Sequence, residues 1–134
     1  MDLYALAASQ HSVVAVYQLR SLGLSYDAIE HLTESGEWYR RSPMIILRTG
    51  SARTVEQIAS EAVLDAGRRA GLSDYSGAAW FDLNGFRLRP LHVTRLRDST
   101  STPIRLAMIH EPRLLPEHHL TVHKGVSVTV PSRI

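Results

Sequence analysis

The 134-residue sequence predicts an α+β fold in two parts, residues 1–50 and residues 51–134. A change in apolar spacing leads to this prediction. Through most of the first 80 residues, apolar side chains recur every three or four positions, which is the period of one helix face. From Phe86 onward the period shifts toward two, as in strands. Residues 50–53, Gly-Ser-Ala-Arg, interrupt the apolar pattern and mark the predicted joint.

Two short helices joined by a tight turn are the central feature of the first part. Gly23 is expected to end one helix, and Ser25 to cap the next by accepting a hydrogen bond from its first turn. Leu24 and Ile29 have the spacing of a hydrophobic staple, which fixes the entry angle of the second helix. The predicted elements are a helix at residues 2–10, a strand at 13–14, and helices at about 15–22 and 26–35. This arrangement predicts a helix-turn-helix, whose last helix lies in the DNA major groove.

A two-stranded hairpin is predicted directly afterwards, over residues 37–49. Trp38 and Ile46 are strand formers, and Ser42-Pro43 is the expected turn. The hairpin carries three arginines, Arg40, Arg41 and Arg48. A helix-turn-helix followed by such a hairpin predicts an N-terminal winged helix-turn-helix.

The second part is predicted as a small lobe of mixed helices and antiparallel strands. Thr54 and Gln57 have capping-box spacing at the start of a helix that Gly71 is expected to end. A further short helix is expected after Ser73. Strands are predicted at residues 90–96, 104–110 and 120–130, the last folded as a hairpin at Lys124-Gly125.

Composition narrows the classes of function. The chain has no cysteine, which excludes disulfides and thiolate metal sites. No apolar run approaches the roughly 18 residues needed to cross a bilayer, so we expect a soluble, cytoplasmic protein with no membrane partner. Glycine-rich phosphate loops, nucleophile elbows and the acid-lysine pattern of nucleases are missing from the sequence. We therefore expect neither catalysis nor a cofactor.

The histidines near the C-terminus raise the question of a metal site. His118, His119 and His123 lie close together, and the last two have the spacing of neighbours on a helix. Pro116 and the strand-like residues after His119 argue against a helix, and no acidic or thiol partner completes the set. We therefore expect no metal and interpret these side chains as solvated loop histidines.

Several stretches carry a family resemblance across essentially the whole chain. They are ALAASQHSVV, QLRSLGLSYDAIEHLTESGEW, LSDYSGAAWFDLNGF, PLHVTRL, IHEP and LTVHKGVSVTVPSR. The chain resembles the N-terminal region of AbiEi-type antitoxins, and still more their relatives fused to Vsr-like endonuclease domains. The resemblance implies a winged-helix DNA-binding domain followed by a small α+β domain. In antitoxins these work together to repress their own operon and to neutralise a nucleotidyltransferase-like toxin.

The sequence departs from these relatives in three places. Residues 43–45 are Pro-Met-Ile where relatives have a Gly-Val-Tyr-like strand, so we expect a different hairpin tip. The third helix carries Glu30, His31 and Glu34 where relatives often have arginines. Relatives also continue beyond Ile134 into a further domain, so the endonuclease part is expected to be absent.

The expected DNA contacts lie on the third helix and the hairpin. They are Ser25, Tyr26, Asp27, Glu30, His31, Thr33, Arg40, Arg41 and Arg48. A second set of arginines could hold phosphates from the other part, and comprises Arg87, Arg89, Arg95, Arg97 and Arg105. Residues 1–50 carry four basic and five acidic groups, whereas residues 51–134 carry eleven basic and eight acidic groups. The helix-turn-helix is thus not basic, although phosphate neutralisation supplies most of the affinity for duplex DNA.

Three functions remain open from the sequence. The first is a non-catalytic DNA-binding regulator, either a repressor or an antitoxin. The second is a protein-interaction module that binds and neutralises a partner such as a toxin through its acidic helix. The third is the DNA-targeting portion of a truncated Vsr-like nuclease. The oligomeric state is not indicated by any sequence pattern.

Overall fold

Two β-sheets organise the chain in the computed structural model, which describes residues 2–96 and 107–130. The three-stranded sheet forms before residue 50 and the five-stranded sheet after residue 69. Helices pack against both sheets, so the predicted α+β class is confirmed. Within the described residues, no helix is both long enough and apolar enough to cross a bilayer.

The first sheet is formed with three of the helices. In chain order the elements are α1 (Leu3–Ser9), β1 (Val13–Ala15), α2 (Val16–Ser21), α3 (Tyr26–Glu34), β2 (Trp38–Arg40) and β3 (Ile45–Arg48). The sheet is antiparallel with the order β1-β3-β2, so β3 pairs Val14 with Ile46 on one side and Trp38 with Arg48 on the other. All four predicted elements up to residue 35 and the hairpin are present; the helices are shorter than predicted, and β1 is one residue longer.

Strands β1 and β3 of this sheet are buried on both faces. On one face, Trp38 and Ile46 pack with Leu19 of α2 and Ile29 of α3. On the other face, strand residues including Leu47 pack with partly buried Leu64, which lies in a helix of the second part. A strand that is buried on both faces needs apolar side chains at every position. Residues 44–47 form such a continuous apolar run.

The second sheet is formed with two helices. In chain order the elements are α4 (Val55–Ala66), β4 (Ala70–Leu72), α5 (Asp74–Trp80), β5 (His92–Arg95), β6 (Met108–His110), a 3-10 turn (Glu117–His119), β7 (Leu120–His123) and β8 (Val126–Thr129). The strand order is β6-β5-β4-β8-β7. The predicted hairpin at Lys124-Gly125 is confirmed, and both turn residues have the positive φ that tight hairpin turns require.

Two predictions for this part were wrong. Gly71 does not end α4, which already stops at Ala66 because Gly67 adopts a φ of 134°. Gly71 instead lies in β4, where a Cβ would come within 2.9 Å of Leu120 and 3.1 Å of the Val128 backbone. The sheet is also not purely antiparallel, since β4 with β8 and β5 with β6 pair in parallel. The missed strand β4 accounts for the first of these pairs, because it lies between β5 and β8 in the sheet.

The two parts contact each other through hydrogen bonds as well as apolar packing. The hydroxyl of Tyr17 donates to the carbonyls of Leu64 and Gly67 at 2.9 and 3.1 Å. The hydroxyl of Ser60 donates to the carbonyl of Gln10 at 2.8 Å. Because α4 is buried by the first sheet as well as the second, polar residues on it also lie inside. These are Gln57, Ser60, Glu61 and Asp65.

Candidate nucleic-acid interface

Helix α3 begins where the sequence predicts it. The Ser25 hydroxyl accepts a hydrogen bond from the Ala28 N–H at 3.1 Å, which confirms the predicted cap. Gly23 adopts a φ of 99° in the turn before it, a conformation that most other residues avoid. Leu24 and Ile29 both belong to the core under α3, and Ile29 is only 1% exposed. The turn and the apolar face therefore fix the helix and leave its opposite face in solvent.

The exposed face of α3 carries most of the predicted contact residues. Tyr26 is 65% exposed, and Asp27, Glu30 and His31 are exposed as well. Thr33 is only partly exposed, and its hydroxyl donates to the carbonyl of Glu30 at 2.8 Å. The Ser25 hydroxyl is engaged in the cap. Side chains able to read a base edge are therefore concentrated at Tyr26, Asp27, Glu30 and His31.

Arg20 belongs to the same surface, although it is not among the contacts predicted from the sequence. Its guanidinium lies over the Tyr26 ring at 4.4 Å from the ring centre, and it also donates to the carbonyl of Leu24 at 3.2 Å. This places a cation beside the first turn of α3. A basic residue in the last turn of the preceding helix is the sequence signal that could have identified it.

Each hairpin arginine is paired with a carboxylate. Arg40 Nη2 contacts Glu30 Oε1 of α3 at 2.5 Å. Arg48 Nη2 lies 3.6 Å from Glu37 Oε1, and its guanidinium also lies over the Tyr4 ring. The Tyr4 hydroxyl donates to the same Glu37 carboxylate, and this hydrogen bond raises the pKa of Tyr4. The predicted phosphate-binding arginines are thus present at the surface with their charge balanced by acidic neighbours.

The tip of the hairpin is packed against α4 and does not extend freely into solvent. Arg41 Nε lies 3.3 Å from Glu61 Oε1, and the Ser42 hydroxyl donates to Asp65 Oδ1 at 2.9 Å. Ser42 is 5% exposed, and Glu61 and Asp65 are also buried. The sequence placed a turn at Ser42 but gave no sign that its hydroxyl is buried, because the partners lie more than 20 residues away.

The second arginine set divides into three groups. Arg87 and Arg89 are exposed in the segment between α5 and β5. Arg95 is buried, donates to the Ala66 carbonyl at 3.3 Å and pairs with Glu111 at 3.1 Å, so its predicted phosphate contact is wrong. Arg95 pairs with Ala70 in the sheet, and its side chain contacts the last residue of α4, which explains its burial. Arg97 and Arg105 lie outside the described residues.

The arrangement of the histidines differs from the one expected from the sequence. His118 and His119 are neighbours in the 3-10 turn, whereas His123 lies in β7 and stacks on Phe81. A different set converges, namely Asp74, His92 and His110. Their spacing in the sequence gives no metal-ligand pattern, and only the parallel pairing of β5 with β6 brings the two histidines together.

Comparison with models of known protein families and with curated proteins found no match to this chain. The resemblance to AbiEi-type antitoxins therefore rests on the sequence stretches quoted above.

Proposed function

We propose that residues 1–50 form a winged helix-turn-helix that binds double-stranded DNA, and that the protein is a non-catalytic transcriptional regulator. The supporting observation is the combination of element order and pairing. A helix, a strand, two helices and a hairpin follow one another, and the first strand pairs with the last to give the order β1-β3-β2. Four residues join α2 to α3, and the outer face of α3 is solvent-exposed. This is the arrangement that presents a recognition helix to a major groove.

In this proposal α3 enters the major groove with its N-terminal half. Tyr26 and His31 can form hydrogen bonds to base edges, and a carboxylate such as Asp27 or Glu30 can accept from the amino group of cytosine. Arg20 and Arg40 flank the helix and supply phosphate contacts, which position the protein without specifying sequence. Arg87 and Arg89 are further exposed cations, with no carboxylate partner among the described residues.

The pairing of Arg40 with Glu30 does not prevent this role. Both side chains are substantially exposed, at 32% and 60%, and exposed pairs of this kind contribute about 1 kcal/mol or less. A phosphate contact releases condensed counterions from DNA and can replace so weak a pair. On binding, Arg40 would move to a phosphate and leave the Glu30 carboxylate free to face a base. Glu30 then lowers the affinity for DNA in general, because its carboxylate repels phosphates. It favours sequences that offer the carboxylate a hydrogen-bond donor.

The resemblance to AbiEi-type antitoxins makes autoregulation of an operon the favoured biological role. A repressor of this kind acts in the cytoplasm and needs no cofactor of its own. A toxin would be its protein partner in an antitoxin system.

The acidic face of α3 supports a second candidate, a protein-interaction module. Asp27, Glu30 and Glu34 are all exposed on one helix, and a basic partner would complement them. In that case the same face binds a protein such as a toxin and has no affinity for DNA.

Selection of bound duplexes from a random-sequence pool tests the DNA proposal. We expect the wild-type protein to enrich a defined sequence, and Tyr26→Ala or His31→Ala to alter that sequence. Arg40→Ala should weaken binding to every duplex without altering the preferred one. Recognition by α3 would be contradicted if the folded wild-type protein enriched no sequence. It would also be contradicted if Tyr26→Ala and His31→Ala enriched the same sequence as the wild type.

A further inference from the structure

Asp74, His92 and His110 bring three ligand atoms together beside the second sheet. His110 Nε2 lies 3.0 Å from His92 Nδ1 and 3.0 Å from Asp74 Oδ2, and the last two atoms are 3.8 Å apart. The residues come from three elements, β5, β6 and the first turn of α5. Neutral imidazole nitrogens and a carboxylate oxygen are the donors that zinc and similar cations bind.

A hydrogen bond between the two histidines accounts for only part of this convergence. A single ring nitrogen carries either one proton or one lone pair, so His110 Nε2 can make one good hydrogen bond in its plane. It nevertheless faces two partners at the same distance of 3.0 Å. The His92 and His110 rings are nearly parallel with their centres 5.3 Å apart, and the two nitrogens face each other. A shared cation would replace this hydrogen bond and join both nitrogens to the Asp74 carboxylate.

The distances match the size of such an ion. A triangle with sides of 3.0, 3.0 and 3.8 Å has a circumscribed radius of about 1.9 Å, against zinc bond lengths of about 2.0 to 2.2 Å to nitrogen and oxygen. An ion at about 2.05 Å from all three atoms would therefore sit roughly 0.7 Å out of their plane. Such an ion lies to one side of the three atoms and leaves its other side open for a fourth ligand.

The backbone holds these three residues in place. The Ser73 N–H donates to the His92 carbonyl at 2.9 Å, and the His92 N–H donates to the Ser76 hydroxyl at 2.8 Å. These bonds tie the start of α5 to β5 on both sides of Asp74. Asp74 itself adopts a φ of 51°, which few residues other than glycine, asparagine and aspartate tolerate. His92 is mostly buried, with its side chain 14% exposed.

An open cleft adjoins the cluster. It has a volume of about 610 Å³, and its walls include Asp74, His110, Ser73 and Thr129. The hydroxyls of Ser73 and Thr129 are buried and have no hydrogen-bond partner among the described residues. The cleft offers room for water or another oxygen ligand at the fourth position.

We propose that Asp74, His92 and His110 form a binding site for one Zn²⁺ ion or a similar divalent transition metal. The ion links α5 to the β5 and β6 strands, and its fourth ligand comes from the adjoining cleft. The site lies in the second part of the chain and does not depend on DNA binding by α3. It also differs from the histidine group at residues 118–123.

Titration of the full-length, chelator-treated protein with ZnCl₂ in a calorimeter tests this site. We expect one ion per chain and a melting temperature that rises with the zinc concentration, since only the folded state holds all three ligands. Titration with Co²⁺ should give the intense visible absorption of a tetrahedral complex. His110→Gln should weaken zinc binding at least about tenfold and abolish the cobalt spectrum.

Two further variants sharpen the test. Asp74→Asn retains size and tolerates the positive φ, so its weaker binding would report the lost carboxylate charge and not misfolding. His118→Gln removes an exposed histidine outside the cluster and should leave both titrations unchanged. Circular dichroism verifies that each variant is folded. Absence of stoichiometric binding by the wild type, full binding by His110→Gln, or loss of binding in His118→Gln would overturn the proposal.

Discussion

Arg41, at the tip of the hairpin between β2 and β3, forms an ion pair with Glu61 in the middle of α4, with Nε and Oε1 3.3 Å apart. The Glu61 side chain is 1% exposed, and Arg53 contacts its other oxygen at 2.5 Å. Both arginines are nearly half exposed. One buried carboxylate, neutralised by two surface cations, therefore joins the hairpin to the second part of the chain.

This junction predicts an unequal response to mutation. The double substitution Arg41→Ala with Arg53→Ala leaves a buried, uncompensated charge, which costs about 3 to 5 kcal/mol of unfolding free energy. Glu61→Gln removes that charge and leaves two arginines that water can solvate, so we expect a clearly smaller loss. Urea denaturation measures both. Equal losses, or a larger loss for Glu61→Gln, would contradict this account of the junction.

The cap of α3 gives a second stability prediction. Ser25→Ala removes the acceptor for the Ala28 N–H, and losing such a cap costs about 1 kcal/mol. Ser21→Ala is the matched control, because its hydroxyl only donates to the Tyr17 carbonyl, which the helix already engages. We expect the control to change unfolding free energy by less than about 0.5 kcal/mol. Indistinguishable urea midpoints for the two variants would contradict the cap.

Because of Tyr17, we expect the free energy of unfolding to depend on pH in the alkaline range. Burial raises the pKa of Tyr17 above the ordinary tyrosine value of about 10. Below about pH 10 both states are protonated and the stabilisation is complete, whereas above it only the unfolded state ionises, so stability falls as pH rises. Tyr17→Phe should flatten this fall in unfolding free energy, although the variant starts less stable because it loses the hydroxyl proton that the Leu64 and Gly67 carbonyls share.

Tyr75→Phe is the control for this measurement, since the Tyr75 ring is 63% exposed. We expect it to retain the wild-type dependence on pH. The role given to Tyr17 fails if its phenylalanine variant loses stability between about pH 9 and pH 11 as steeply as the wild type.

Much of the first part could be predicted because its signals are local. Ser25 and Ala28 are three residues apart, and Gly23 acts within its own turn, so short-range patterns were sufficient to place α3. The strand β4 was missed because it is three residues long and lies in the middle of the sheet. Its glycine resembles a helix stop unless the close approach of Val128 is known.

The contacts that modify the candidate sites are long-range and could not be predicted. Arg40 was correctly placed on the hairpin, but its pairing with Glu30 depends on how β2 packs against α3. The burial of Glu61 requires both sheets to enclose α4. Likewise, His92 and His110 are 18 residues apart and meet only because β5 and β6 are parallel.

The DNA-binding proposal is tested most directly by the salt dependence of binding to duplex DNA, measured by fluorescence anisotropy. We expect the logarithm of the association constant to fall linearly with the logarithm of the salt concentration, and Arg40→Ala to reduce the slope by about 1. Glu30→Gln releases Arg40 and should strengthen binding, whereas Glu117→Gln, which releases Arg69 in the other part, should not. A folded wild-type protein that binds no duplex at low salt would contradict the proposal, and capture of a basic protein through the intact acidic face would then favour the interaction module.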